Sequence, residues 1–365
     1  MVAIARALFL IAISLGSSYA LSSAGFKPWT HFGVRPLAMG NAYVAVADDY
    51  NALFYNPAGL ARLDSWSGEL VNPTLEVSRN TYKFTNDLLS VVGGGASDTT
   101  EILELVEENT GQSHYIGLKL TPHLVFPNFG IGIGIDVPVS LRFNRYPSVN
   151  LDLGPRVTIP IGFAMNFLEN RLSIGTNFKV RAKGGVDHEF TIQDLNSFQD
   201  SEALDEFVEG GIGYGVDFGL LFTPMEPMEP TIGLSITDLG GTPYEQKDIG
   251  GVASGKPSPE LPSVNLGISL KPISTGNSFL RTSLDMHSIN QPFSFSKKLN
   301  FGLEYALGSI FKIQTGLHQG YFSGGFQIDL PILLAIRFAT YGAELGTSAG
   351  TIEDRRYVLQ IKLLI

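Results

Sequence analysis

The chain has 365 residues, among them 41 Gly, 24 Phe and 13 Tyr, with 16% charged residues and no Cys; its mean hydropathy is positive. A formal net charge of -10 speaks against a nucleic-acid partner, which requires clustered Lys and Arg. No apolar run of helix-spanning length follows the N-terminus, so helical membrane spans are not expected. The other structure that satisfies every backbone group in lipid is a closed β-barrel.

Residues 1–24 have the order of an export signal. Arg6 precedes an apolar run over 7–15, and small residues end at Ser18-Tyr19-Ala20 and Ser22-Ser23-Ala24, which predicts cleavage after Ala20 or Ala24. The lack of Cys leaves no lipoprotein anchor. Residues 25–65 read as a plug. The stretch 33–63 is rich in small residues and carries the adjacent acids Asp48 and Asp49. It closes on Asn56-Pro57-Ala58-Gly59, where proline removes a donor and glycine permits positive φ.

From residue 66 to 365 the signal is period two. Over 129–143 the odd positions are Phe129, Ile131, Ile133, Ile135, Val137, Val139, Leu141 and Phe143. The even positions are Gly130, Gly132, Gly134, Asp136, Pro138, Ser140 and Arg142. One face of such a strand is apolar and the other small, polar or charged. Continuing this way predicts fourteen strands, near 66–79, 112–126, 128–143, 150–167, 171–184, 211–224, 230–239, 261–271, 278–289, 297–307, 309–319, 321–330, 331–342 and 355–365. The fold expected is an all-β, fourteen-stranded antiparallel transmembrane barrel. Long connections (80–111, 185–210, 240–260, 343–354) follow odd-numbered strands and short ones follow even-numbered strands, as in outer-membrane barrels. Residues 98–106 and 197–209 carry amphipathic helical patterns, read as loop helices on the barrel rim rather than a ligand-catching lip.

Proline cannot donate to a ladder, and Pro122, Pro138 and Pro160 fall inside the second, third and fourth predicted strands. Either the wall is interrupted near Pro138 and Asp136, leaving a lateral opening, or the strands overrun the bilayer and the prolines sit in rim extensions. Asp136, Asp152 and Asp217 share the inward register with Arg142, Arg156, Lys179, Arg181 and Lys183. Internal pairing, with the plug acids included, is expected over a polar conduit, because an unpaired buried charge is costly. The six histidines (His31, His114, His123, His188, His287, His318) show no metal-ligand spacing, and neither HExxH nor GxSxG occurs. No enzyme activity, cofactor or metal is expected. His123 and His287, with an acid such as Asp285, read as lumen residues in a polar network, and the glycines at 130–134 lie in a strand and open no helix, so they form no phosphate loop.

The run Leu37-Ala38-Met39-Gly40-Asn41-Ala42-Tyr43, then Ala47-Asp48-Asp49, then Asn56-Pro57-Ala58 resembles the N-terminal hatch of the FadL/TodX outer-membrane transporters of hydrophobic compounds. Its spelling is similar to the PorV-like branch of that superfamily. The resemblance implies passive transport of hydrophobic, fatty-acid-like molecules. Substrate is caught by loops, held in the barrel and released sideways near the third strand when the hatch moves. It places plug and gating residues at Met39, Asp48, Asp49, Phe54, Asn56, Pro57 and Ala58. Substrate-catching loops would fall at 185–210 and 240–260, with Leu204, Phe207, Val208, Tyr244, Ile249 and Val252 as apolar candidates. The implied location is a Gram-negative-type outer membrane, with lipid, lipopolysaccharide and a hydrophobic small molecule as partners. The PorV-like alternative is a barrel that docks other envelope or secretion proteins and transports nothing.

Overall fold

A computed structural model describes residues 33–85, 107–144, 148–191, 205–225, 228–248, 253–276, 278–330 and 334–363. The export signal, the amphipathic pattern at 98–106, most of that at 197–209, Leu204, Ile249 and Val252 lie outside them. Fourteen antiparallel strands form the wall: β1 (Ser67–Glu69 and Thr74–Ser78), β2 (Ser113–Leu120 and His123–Phe126), β3 (Phe129–Gly132 and Gly134–Phe143), β4 (Ser148–Leu153 and Arg156–Phe167), β5 (Leu172–Thr191), β6 (Val208–Phe222), β7 (Thr231–Thr237 and Tyr244–Gln246), β8 (Ser263–Thr275), β9 (Ser278–Met286), β10 (Leu299–Leu307), β11 (Phe311–His318), β12 (Tyr321–Leu330), β13 (Leu334–Glu344) and β14 (Glu353–Leu363). Each pairs with the next in sequence, and β14 returns to β1 from Arg356↔Ser78 to Gln360↔Thr74, which closes the barrel.

The alternation in the sequence has a direct physical outcome. Apolar side chains such as Leu118, Ile131, Phe163, Phe178, Ile232, Ile268 and Leu359 point outward and are exposed, while Glu76, Lys119, Asp217, Glu304 and Gln360 point inward and are buried. That inverts the arrangement of a soluble protein and is the surface a bilayer solvates. Inside lies the plug, with α1 (Val34–Ala38), α2 (Ala52–Tyr55) and a 3-10 turn (Pro57–Arg62). Its apolar core is Met39, Tyr43, Tyr50, Leu53, Phe54 and Leu60, packed on Val125 and Ala164 of the wall.

Several boundaries differ from the expectation. The connection placed at 185–210 is strand at both ends, because β5 runs on to Thr191 and β6 begins at Val208. Val208 is therefore a strand residue, and the described residues just before it, Asp205–Phe207, form a 3-10 turn. Gly184 and Gly185 lie within β5 and pair with Gly210 and Glu209 of β6. Gly185 has φ +127°, and a Cβ on it would lie 2.0 Å from the Leu153 carbonyl oxygen. The connection placed at 240–260 likewise contains strand residues, with Tyr244 paired to Gly213 of β6. β1 is not one strand but two, broken over 70–73.

Gly185→Ala would combine a positive φ with a backbone clash, at a cost of about 1–3 kcal/mol. The expected result is a lower thermal midpoint for the compact, heat-modifiable band of the folded barrel on gels.

Candidate functional site

The plug is fastened to the wall by charge at one point and by backbone hydrogen bonds all round. Arg35, fully inside the barrel, donates through Nε and Nη2 to both oxygens of Glu304 on β10, each at 2.6 Å. Its Nη1 reaches Asp48 at 2.7 Å, Asp49 at 3.0 Å and the Tyr43 hydroxyl at 2.7 Å. Arg281 of β9 meets the other Asp48 oxygen at 2.7 Å, and Gln314 of β11 donates to Glu304 at 3.2 Å. A fork that engages three carboxylates fixes orientation as well as position. Partial burial pushes the Asp48 carboxyl up, but the Arg281 and Arg35 guanidiniums outweigh it and hold the group well below the usual carboxylate range.

Elsewhere the wall supplies one small polar side chain after another to a plug carbonyl. Asn166 of β4 donates to Ala61 at 2.7 Å, Asn177 of β5 to Leu53 at 2.7 Å and Ser235 of β7 to Tyr55 at 2.6 Å. Ser269 of β8 donates to Ala45 at 3.1 Å, Ser283 of β9 to Ala42 at 2.8 Å and Ser323 of β12 to Ala38 at 3.3 Å. In return Val44 N donates to Asp285 Oδ2 at 2.7 Å. Irregular backbone inside a barrel needs such partners, since an unpaired buried amide or carbonyl costs about as much as a lost hydrogen bond.

Asn56-Pro57-Ala58 packs directly on Gly175 of β5 and Gly219 of β6. Asn56 is fully buried. Its Nδ2 donates to the carbonyls of Val44 at 2.8 Å and Leu220 at 3.3 Å, and its Oδ1 accepts from Ala58 N at 3.2 Å. A Cβ on Gly175 would lie 2.4 Å from the Pro57 carbonyl carbon, and one on Gly219 would lie 2.1 Å from Asn56 Oδ1. The two glycines are the socket of this turn. Met39 lies in the plug's apolar core, and Leu53 and Phe54 face Gly132 of β3.

The expected internal pairing of the inward charges forms, but the plug acids take no part in it with Arg142, Arg156, Lys179, Arg181 or Lys183. Those bases pair within the wall or hold loops: Lys179 with Asp217 (2.5 Å) and Asp238 (3.1 Å), Arg181 with Asp238 (3.3 Å), Arg156 with Asp152, Lys183 with Glu260, and Arg142 with the Leu345 carbonyl. The sequence reading missed Arg35, Arg281 and Glu304. Arg281 and Glu304 occupy inward positions of β9 and β10, and that parity is the signal that marks them.

Each of the three prolines falls at a gap in the ladder. Pro122 lies between the two halves of β2, where pairing to β1 jumps from Glu69↔His123 to Thr74↔Lys119. Pro160 lies in the gap between Ile131↔Ile161 and Gly134↔Thr158. Pro138 lies between Asp136↔Arg156 and Val139↔Leu153, in a gap on the β4 side alone. On the β2 side β3 is paired continuously from Ile135 to Arg142. Asp136 is buried beside Lys119 and Arg156, its register partners.

At the long-connection end, Phe207 packs on His188 (ring centroids 4.3 Å apart) and Phe190 (5.1 Å). Tyr244 is buried, its hydroxyl 3.0 Å from Glu260 and its ring under Lys183.

No family model matches the chain, and no curated protein matches it. Solved structures do. The CymD monoaromatic hydrocarbon channel superposes with a TM-score of 0.55 at 11% identity, over 92% of this chain and 98% of that one. The barrel shares the fold of that channel. The deltaS2 mutant of the TodX monoaromatic hydrocarbon channel gives 0.51 at 12% identity, over 92% and 98% of the two chains. The P. putida toluene transporter TodX gives 0.50 at 12%, over 93% and 97%. At such identities the likeness is one of fold, and function has to be argued from the residues of this chain.

Removing one partner of a buried ion pair strands the others. Glu304→Gln is therefore expected to cost about 3 kcal/mol of plug docking, roughly a hundredfold rise in proteolytic cleavage within 33–65. Because the Asp48 value is depressed, its contribution is complete above the ordinary carboxylate range and is lost only as pH falls through the lowered value. The wild-type plug should thus be as protected from an acid protease at pH 4 as from a neutral one at pH 7; release already at pH 5 would contradict the assignment.

Proposed function

We propose that the protein is an outer-membrane barrel that passes hydrophobic small molecules by diffusion, in through the long-connection end and out sideways past the plug. The observation that carries the reading is a coincidence of position. The gaps around Pro122, Ile133 and Pro160 lie on the part of the wall that faces Leu53 and Phe54, the apolar side of the plug. A hydrophobic solute leaving the lumen there meets apolar side chains and a ladder with fewer bonds to break. The fold it shares with CymD and TodX, described as a monoaromatic hydrocarbon channel and a toluene transporter, supports the reading. The outward apolar belt supports a bilayer location, with lipopolysaccharide around the long connections. Met39, Asp48 and Asp49 hold the plug, while Asn56-Pro57-Ala58 is its gating turn. Pro138 and Asp136 border the exit, and Phe207 with Tyr244 stand near the entrance.

A second reading is favoured by the number of wall side chains that hold plug carbonyls. In it the plug is a fixed stopper, and the barrel serves as a PorV-like platform for other envelope or secretion proteins.

Asn56→Ala separates the two. It leaves the buried Val44 and Leu220 carbonyls without their amide donor, a cost of about 1–3 kcal/mol concentrated on the turn. Uptake of toluene and of a long-chain fatty acid would be measured at matched outer-membrane abundance. The transport reading expects wild-type uptake above that of cells lacking the protein, changed severalfold by the substitution. Uptake of neither compound by the wild type favours the platform, and normal uptake by the variant removes the gating role of the turn.

A further inference from the structure

The β11–β12 connection, Gln319-Gly320, is the shortest at the long-connection end, and the β13–β14 connection, residues 345–352, lies over it. Glu344, the last residue of β13, folds that connection on itself. Its carboxylate accepts from Gly346 N at 2.6 Å, Thr351 N at 2.8 Å, Ile352 N at 2.9 Å and the Tyr321 hydroxyl at 2.9 Å. Its own N donates to Gln319 Oε1 at 3.1 Å. Gly320 gives the connection its seat, since a Cβ there would lie 3.0 Å from the Ala349 Cβ.

Two cations reach this folded connection from different sides of the barrel. Arg142 of β3 donates through Nη1 to the Leu345 carbonyl at 3.2 Å. Lys297, on the short helix Phe295–Lys298 that leads into β10, donates through Nζ to the Gly346 carbonyl at 2.7 Å and the Glu344 carbonyl at 3.4 Å. β3 and β10 are the third and tenth strands in a ring of fourteen, so they face each other across the lumen. Chain held from both walls spans the mouth. Lys297 is only 5% exposed, so its ammonium has left bulk water to hold peptide oxygens. Such an oxygen carries part of a charge, and a hydrogen bond from a cation to an ionised acceptor is the stronger one. The Glu344 carboxylate is engaged by the amides of its own connection.

We propose that Arg142 and Lys297 form an oxyanion seat at the mouth of the barrel, filled at rest by the carbonyls of residues 344–346, and that an arriving carboxylate or phosphate takes the two cations and frees the 345–352 strap. This rests on the reading that solutes enter at the long-connection end, and it gives that entry a trigger. The exchange is favourable on both sides. The cations trade neutral dipoles for a full charge, and the released carbonyls turn to the water outside the barrel. Glu344 keeps the strap folded on itself, so the strap moves as one piece between the ends of β13 and β14.

The chain contains no Cys, so a nitroxide on Thr347→Cys, at an exposed position of the strap, reports the strap alone. Its spectrum would be recorded on the purified barrel at fixed ionic strength in KCl, with the compact gel band as proof of folding. The expected result is an ordered label at rest and severalfold growth of the mobile component with sodium hexanoate or inorganic phosphate, but not with hexanol. Whichever of the two anions acts at the lower concentration assigns the seat to a carboxylate or to a phosphate. Lys297→Met is expected to show a mobile label without any anion and little further response. Should that variant not fold, Arg142→Gln is expected to shift the label in the same direction. Lys298→Met is the control, because its ammonium holds the Ile289 and Gln291 carbonyls and not the strap, and it should behave as wild type. A strap that ignores both anions, that responds equally to added KCl, or that stays ordered in a folded Lys297→Met barrel overturns the proposal. The label reads the strap and not passage, so a responsive strap without toluene or fatty-acid uptake refutes the transport reading alone, and normal uptake with an unresponsive strap refutes the seat alone.

Discussion

A guanidinium that must satisfy three carboxylates at once makes plug and barrel a single body. Arg35 comes from the first helix of the plug, Asp48 and Asp49 from the loop before the second, and Glu304 from the tenth strand. Taken out of water, none of these charges is tolerable alone, and Arg281 balances what Arg35 leaves over. The position of the plug's apolar face against β3, and the seating of its turn between β5 and β6, both depend on this anchor. The ring of serine and asparagine contacts then distributes the attachment around the wall. Charge sets where the plug sits, and hydrogen bonds set how closely.

Much of the fold was legible because a barrel in lipid leaves little freedom. Successive side chains must alternate, strand number is even, and the two ends differ in loop length, and each of these appears in the sequence as a count or a spacing. The errors came where glycine and proline carry two meanings. Gly184-Gly185 lies inside β5, which continues past it to Thr191. The break in β1 is concealed because Asn72 keeps inward parity while Leu70 and Val71 both turn outward. No periodicity distinguishes an asparagine that patches a ladder from one that faces a lumen.

The candidate site was legible in part. Asp48, Asp49 and Asn56 stood out as polar residues in an apolar setting, but their partners lie far along the chain, Glu304 being 269 residues from Arg35. A single sequence contains no record of such pairings. Inward charges on β9 and β10 could be enumerated; which of them meets the plug depends on how the strands tilt and stagger around it.

The plug contacts also constrain how the molecule is assembled. Ser235, Ser269, Ser283 and Ser323 reach carbonyls spread from Ala38 to Tyr55, and Gly175 and Gly219 admit the turn at 56–58 with no space for a side chain between. A segment gripped from so many directions cannot be threaded into a finished cylinder. It has to be present as a template while the strands gather. The plug is then the mandrel on which the barrel is wound.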